Sequence, residues 1–126
     1  MNSLLNKNRE LFRQRFPQLI EQFQPFFDSP TLPAGVELAE CKNGQISANF
    51  AGLALHSTYN PEREAQKLVI TDETKKADAG VFLGFALGYG AITFAKEYPG
   101  KTLILVECNP EWFILALSTG CWFTFF

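Results

Sequence analysis

Apolar positions recur with helical spacing through the first part of the chain and predict two helices. Their apolar faces consist of Leu4, Leu5, Leu11, Phe12 and Phe16, and of Leu19, Ile20, Phe23, Phe26 and Phe27. Pro17 separates them, because proline does not continue a helix but suits the first position of a new one. Pro25 is expected to end or kink the second helix. Residues 28–35 have the composition of a loop.

Three short strands are predicted next. Asn43-Gly44 favours a type I′ hairpin turn, since both residues tolerate positive φ. The expected partners across it are Cys41 with Ile46 and Ala39 with Ala48. This register leaves Val36 and Leu38 on the opposite face, so either both faces are partly buried or a bulge intervenes. Residues 53–57 form the third strand.

A capped helix follows the strands. Asn60 is the expected N-cap and Pro61 the first helical residue. Glu62 and Glu64 fall in the first turn, where the helix dipole favours negative charge. The polar run 71–78 is predicted to be a connection.

From residue 80 onward, strands alternate with helices. The predicted elements are a strand at 80–85, a glycine-rich turn at 84–90, a helix at 91–98, a strand at 102–106 and a helix at 111–118. Both strands are short apolar runs typical of buried parallel strands, and the alternation indicates right-handed crossovers. Residues 121–126 could add a third strand.

The predicted fold class is therefore α/β, with N-terminal helices and a small β-meander leading into a partial Rossmann-like parallel sheet (β-α-β-α). Such a sheet normally continues further, so we expect a truncated sheet and a chain that is the front part of a larger protein. The expected organisation is an N-terminal helical segment, 1–34, and a meander plus Rossmann-like half-domain, 35–126, packed as one domain.

Composition and charge narrow the function. The chain has 126 residues, of which 47% are hydrophobic and 19% charged, as in soluble globular proteins. Its net charge of −2 gives no electrostatic footprint for nucleic acid. The two longest uncharged stretches, 79–95 and 112–126, are shorter than the roughly 20 residues of a membrane helix. Three cysteines without a metal or redox spacing, and no signal peptide, indicate reduced thiols in the cytoplasm.

The glycine-rich turn is the strongest candidate site. Gly84, Gly88, Tyr89 and Gly90 lie between a strand and a helix, where glycines let the backbone bend and a ligand approach. Glu107 follows the next strand, 23 residues after Gly84, close to the usual spacing of about 20 for a carboxylate that binds ribose. An adenosine- or nucleotide-type ligand could bind here. Alternatively, the glycines only permit close packing and Glu107 is a solvated or capping residue.

His56 and Tyr59 form a second candidate group. His56 is the only histidine, and no metal or triad partner accompanies it. We favour a single structural hydrogen bond that stabilises the turn before the helix. Cys108 follows a strand without a nearby base, so it is interpreted as a core residue, and no catalytic or metal-binding residue is assigned.

Three ordered motifs resemble the motility accessory factor (Maf) family, bacterial flagellin glycosyltransferase-like proteins to which an archaeal pterin diphosphokinase family is more distantly related. The motifs are His56-Ser57-x-Tyr59-x-Pro61-x-x-Glu64-Ala65, Leu83-Gly84-Phe85-x-Leu87-Gly88-Tyr89 and Val106-Glu107-x-x-Pro110-Glu111-x-Phe113. The resemblance covers nearly the whole chain and is weakest in its first 35 residues. It is to the N-terminal domain of these proteins.

The resemblance implies that nonulosonic-acid transfer takes place in a following domain with its own sugar-nucleotide site. The present chain would then be a non-catalytic domain that serves substrate engagement or assembly, with flagellin or another surface protein as acceptor of the parent protein. The family often has a histidine directly after the Gly-Tyr pair, where this chain has Gly90.

Two alternatives remain open at this point. One is a module that binds S-adenosylmethionine or another nucleotide-type ligand. The other is a scaffold or dimerisation domain that pairs through an exposed sheet edge and the aromatic residues around Trp122.

Overall fold

The computed structural model describes residues 3–84, 86–120 and 122. Its elements are α1 (Ser3–Arg15), α2 (Ile20–Asp28), β1 (Val36–Glu40), β2 (Ile46–Phe50), β3 (Leu53–Ala54), α3 (Pro61–Val69), α4 (Asp72–Lys76), β4 (Ala79–Leu83), α5 (Tyr89–Glu97), β5 (Thr102–Val106) and α6 (Pro110–Thr119). The strands form an antiparallel sheet β1-β2-β3 and a separate parallel pair β4-β5. The mixed helix-and-strand architecture is thus confirmed, while the Rossmann-like assignment stays a prediction.

Local capping signals account for the start of α3. The Asn60 side chain accepts a hydrogen bond from the Arg63 N–H at 2.9 Å, and Pro61 is the first helical residue, as predicted. The predicted connection 71–78 instead contains the short helix α4, begun by Thr71, whose hydroxyl accepts from the Thr74 N–H at 3.2 Å. The Thr71 cap begins the helix in this polar stretch, and the Lys101 ammonium group donates to the carbonyls of Thr74 and Lys75 within it.

Pro25 was predicted either to end or to kink α2, and it does not end the helix. The helix runs on to Asp28, and the Ser29 N–H donates to the Pro25 carbonyl at 3.1 Å. Proline lacks only the donor of its own residue, so its carbonyl can still take part in the helix. The helix also begins at Ile20, later than Pro17 suggests.

The predicted register of the first hairpin was wrong by one residue. The observed pairs include Leu38 with Ala48, Ala39 with Ser47 and Glu40 with Ile46. Gly44 has a φ of +84°, whereas Asn43 keeps a negative φ, so the type I′ turn is not formed. The Gly44 N–H donates to the Cys41 carbonyl at 3.0 Å, in a longer loop with its glycine in the left-handed position. Val36 and Ala48 consequently share one face, and both are buried.

The remaining predicted elements differ at their ends. β3 is only two residues long instead of covering 53–57. β5 has the predicted bounds, whereas β4 ends at Leu83 and α5 begins at Tyr89. The predicted third strand, 121–126, lies outside the described residues except for Trp122, which is not in a strand.

The main core lies between one face of the parallel pair and the helices. Phe82, Leu103 and Leu105 point from the strands toward a cluster of buried side chains contributed by the helices and the chain end. These are Leu5, Phe12, Phe27, Ala91, Ile114, Ala116, Leu117 and Trp122. Buried Asn8 joins α1 to the end of α6, because its side-chain amide donates to the carbonyls of Leu117 and Gly120, each at 2.7 Å.

The other face of the parallel pair is open. Val81, Leu83, Ile104 and Val106 are 57%, 81%, 45% and 43% exposed. Val81 pairs with Ile104 and Leu83 with Val106, so the four side chains form one apolar patch. The strands were predicted to be buried, but one face is only partly buried and the other is exposed. Within the part of the chain that the structure describes, nothing covers the second face.

Two further findings concern the predictions about cysteines and membranes. Cys41 is buried and Cys108 exposed, and both are free thiols. The interpretation of Cys108 as a core residue was therefore wrong. No helix in the described ranges combines the length and the hydropathy needed to cross a bilayer.

Candidate functional site

A cavity of about 590 Å³ opens beside the carboxyl ends of β4 and β5. Four residues singled out in the sequence line it, namely His56, Gly84, Gly90 and Glu107. Ligand pockets usually measure about 300–1,000 Å³, and ligands of α/β sheets bind outside the carboxyl ends of the strands. Size and location therefore make this cavity the candidate site.

The glycines of the turn have different local roles. Gly84 has a φ of +72° and open space around its α-carbon, and its N–H donates to the Val106 carbonyl at 2.7 Å. Gly88 has a φ of +89° and is the N-cap of α5. A side chain at Gly88 would overlap the indole ring of Trp122, so this glycine permits close packing and does not line the cavity.

His56 ties the meander to the glycine-rich turn. Its Nε2 accepts a hydrogen bond from the Leu87 N–H at 3.1 Å, and its ring meets the Tyr89 ring edge-on with centroids 5.0 Å apart. The partner thus lies 31 residues away, and not in the turn before α3, where we had expected it. Burial lowers the pKa of His56, opposed by the nearby Glu64 carboxylate. A neutral ring that accepts at Nε2 carries its proton on Nδ1.

The two predicted tyrosines differ in placement. The Tyr89 hydroxyl donates to the Ile46 carbonyl at 2.5 Å, and burial raises its pKa. It therefore joins α5 to the meander through this hydrogen bond. Tyr59 is 61% exposed and lies under the ammonium group of Lys42, 4.6 Å from its ring centroid. It does not line the cavity.

Two carboxylates line the cavity, Glu107 and Glu64. Glu107 Oε2 accepts from the Asn109 N–H at 3.2 Å, and Glu64 Oε1 accepts from the Ser57 N–H at 3.0 Å. Each side chain thus stabilises a local turn through one oxygen. The second oxygen of each accepts no hydrogen bond from the residues that the structure describes.

Sequence reasoning did not predict the rest of the cavity wall as site residues, including Phe50, Glu64 and Trp112. Trp112 lies in the first turn of α6, directly after β5, and this position at a strand's carboxyl end was a usable signal. Phe50 belongs to the separate antiparallel sheet, and no local pattern connects it to the turn. Its ring contacts the Trp112 ring at a centroid distance of 6.2 Å.

The polar side chains of the cavity wall are few. Its described lining residues include two glutamates and one histidine but no serine, threonine, cysteine or lysine. In the same described ranges, no three His, Cys, Asp or Glu side chains gather closely enough to hold a metal ion. What remains is a set of hydrogen-bonding groups on apolar walls.

Comparison with known proteins places these features in a family. The family described as "Glycosyltransferase Maf N-terminal domain" matches residues 34–126, which include all three sequence motifs, so the predicted resemblance is confirmed. An uncharacterized protein of Treponema pallidum (strain Nichols) is 33% identical over 118 residues. The match covers 90% of this chain and 40% of the relative's length. No solved structure matches significantly.

Proposed function

The chain belongs to the glycosyltransferase Maf N-terminal domain family, and from that premise we propose that it is a non-catalytic domain that engages a small ligand for a Maf-type glycosyltransferase. The parent activity would be glycosylation of flagellin or another surface protein in the cytoplasm. The observation that supports the proposal most directly is the cavity, where His56, Gly84, Gly90 and Glu107 meet around open space.

The environment of His56 supports a binding role over a catalytic one. A general base needs a free nitrogen close to the proton that it removes. Nε2 of His56 already accepts the Leu87 N–H, and burial keeps the ring neutral. The remaining Nδ1–H can donate to a ligand but cannot take up its proton. The side chain is therefore better suited to hold a ligand than to activate one.

A thermal-shift screen tests the proposal. The panel comprises S-adenosylmethionine, CMP, UDP-sugars, NAD, ATP and adenosine, because any ligand of the native state raises its melting temperature. We expect at least one to do so, and Glu107→Ala to reduce the shift. Glu111→Ala is the matched control, since Glu111 lies in the same region without lining the cavity.

The absence of any shift across the panel would contradict the ligand-engagement role. An assay with a CMP-activated nonulosonic acid and flagellin tests the non-catalytic part. Transfer of the sugar by this chain alone would overturn it.

The open apolar face of β4-β5 favours a second candidate function, self-association. Parallel sheets normally have both faces covered, and exposed apolar patches and strand edges invite pairing. A second copy of the chain would cover Val81, Leu83, Ile104 and Val106 with the same four residues. This is the scaffold alternative on a different surface, because Trp122, around which the pairing was expected, is buried.

Sedimentation velocity tests that alternative. Leu83→Lys is expected to shift a dimer to monomer, because it places a charge within the apolar patch. Leu53→Lys serves as control, since Leu53 is similarly exposed, at 72%, but belongs to the other sheet. A strict monomer at high concentration would exclude this function.

A further inference from the structure

The charge of the cavity restricts the ligands that it can take. We infer that it binds an uncharged or cationic ligand that carries hydroxyl groups next to a flat apolar ring, such as a nucleoside, and that it disfavours a phosphate group. This inference rests on the proposed function, since it names the ligand class of the same site.

The charged side chains that line the cavity are all carboxylates. Its described lining residues include Glu64, Glu107 and the neutral His56, but no lysine or arginine. The cationic residues of α3, Arg63 and Lys67, line an adjoining groove that shares Glu64 and Leu68 with the cavity. A phosphate in the cavity would therefore lie against two carboxylates with no cationic side chain in the described cavity wall itself, which raises its free energy there.

Three positions of the glycine-rich turn are not available to compensate for this charge. Such turns bind phosphate through backbone N–H groups that have no partner within the protein. Here the Leu87 N–H donates to His56, and the Gly84 N–H donates to the Val106 carbonyl. Gly88, whose backbone would have to approach the phosphate, is covered by Trp122. Three positions of the turn are thus engaged within the protein.

The polar groups that remain match hydroxyls. Glu64 and Glu107 each retain one oxygen that accepts no hydrogen bond from a described residue, and His56 offers its Nδ1–H. A carboxylate at the end of the second strand is the usual acceptor for ribose hydroxyls. The acceptor–donor set therefore fits a diol.

The apolar wall provides the surface for a ring. Phe50 and Trp112 stand edge to face at an interplanar angle of 63°, and Phe50 is still 43% exposed. Aromatic side chains bind nucleobases by stacking on either face of the base. A base on this wall with its ribose toward the carboxylates would occupy both parts of the cavity.

Isothermal titration calorimetry with paired probes tests the inference. Adenosine is compared with AMP, uridine with UMP, and both with ribose. We expect each nucleoside to bind about tenfold or more tightly than its monophosphate. A charge repulsion of about 1.4 kcal/mol corresponds to a tenfold difference in Kd. Ribose alone should bind more weakly than either nucleoside, because it lacks the contact with the aromatic wall.

Glu107→Gln removes the charge but keeps an oxygen for the Asn109 N–H. The variant should narrow the gap between adenosine and AMP, whereas Glu111→Gln should leave it unchanged. A monophosphate that binds as tightly as its nucleoside, or an unchanged gap in Glu107→Gln, would overturn the inference while leaving ligand engagement intact. Binding of none of the probes would overturn the inference. If the thermal-shift panel also showed no shift, the proposed function would be overturned as well.

Discussion

Replacement of His56 by alanine tests the connection between the meander and the glycine-rich turn. The substitution removes the acceptor of the Leu87 N–H, and Leu87 is only 2% exposed. A buried donor left without a partner costs about 1–3 kcal/mol. The lost edge-on contact with Tyr89 adds about 0.5–1.5 kcal/mol. We therefore expect His56→Ala to lower the free energy of unfolding by about 2–4 kcal/mol.

Equilibrium denaturation in urea measures this change. His56→Gln is the matched variant, because its side-chain carbonyl can still accept from Leu87, and it should lose about half as much stability or less. The thermal midpoint of His56→Ala should fall by roughly 10 °C, given about 4 °C per kcal/mol for a domain of this size. A loss below about 0.5 kcal/mol in His56→Ala, within the range of ordinary surface substitutions, would refute the reasoning.

The remaining predictions concern a glycine pair, pH and a buried amide. Gly88→Ala should lower the free energy of unfolding by about 3 kcal/mol or more, because the backbone is left-handed and the new side chain overlaps Trp122. Gly84→Ala, with open space around it, should lower it by only about 1–2 kcal/mol in the same denaturation experiment. Equal losses would contradict the packing role of Gly88. Burial lowers the pKa of His56 in the folded state, so the unfolded chain takes up a proton first as pH falls below about 6.5. The thermal midpoint should therefore drop between about pH 6.5 and 5.5 more in the wild type than in His56→Gln. Parallel pH curves for the two proteins would refute this assignment. Asn8→Ala leaves two carbonyls at the end of α6 without their donor and should cost about 2–3 kcal/mol by chemical denaturation, while an unchanged midpoint would show that solvent replaces the amide.

Features that depend on neighbouring residues were predictable from the sequence. The Asn60-Pro61 cap of α3 and the bounds of β5 follow from a few adjacent side chains. The hairpin shows where this reasoning fails. Asn43-Gly44 marks the turn, but only Gly44 adopts positive φ, and the resulting change of loop length shifts every pair by one residue.

Features that depend on distant residues were not predictable. Nothing near Gly88 in sequence indicates that Trp122 packs against it, or that the partner of His56 is Leu87. The same holds for the open sheet face: the apolar runs in β4 and β5 indicate that both faces are apolar but not which of them is covered. The candidate site was therefore predicted as a set of residues near two strand ends, and its wall from the other sheet, including Phe50, was missed.

Ligand engagement by the cavity is tested most directly by a titration of the ¹⁵N-labelled chain with adenosine, followed by amide chemical shifts. The amides of Gly84, Leu87 and Gly90 should move in a saturable manner, since they surround the cavity or bond to His56. Gly44, in the distant hairpin turn, should remain unchanged and serves as the internal control. Shifts confined to residues outside the cavity, or none at saturating adenosine, would contradict the account.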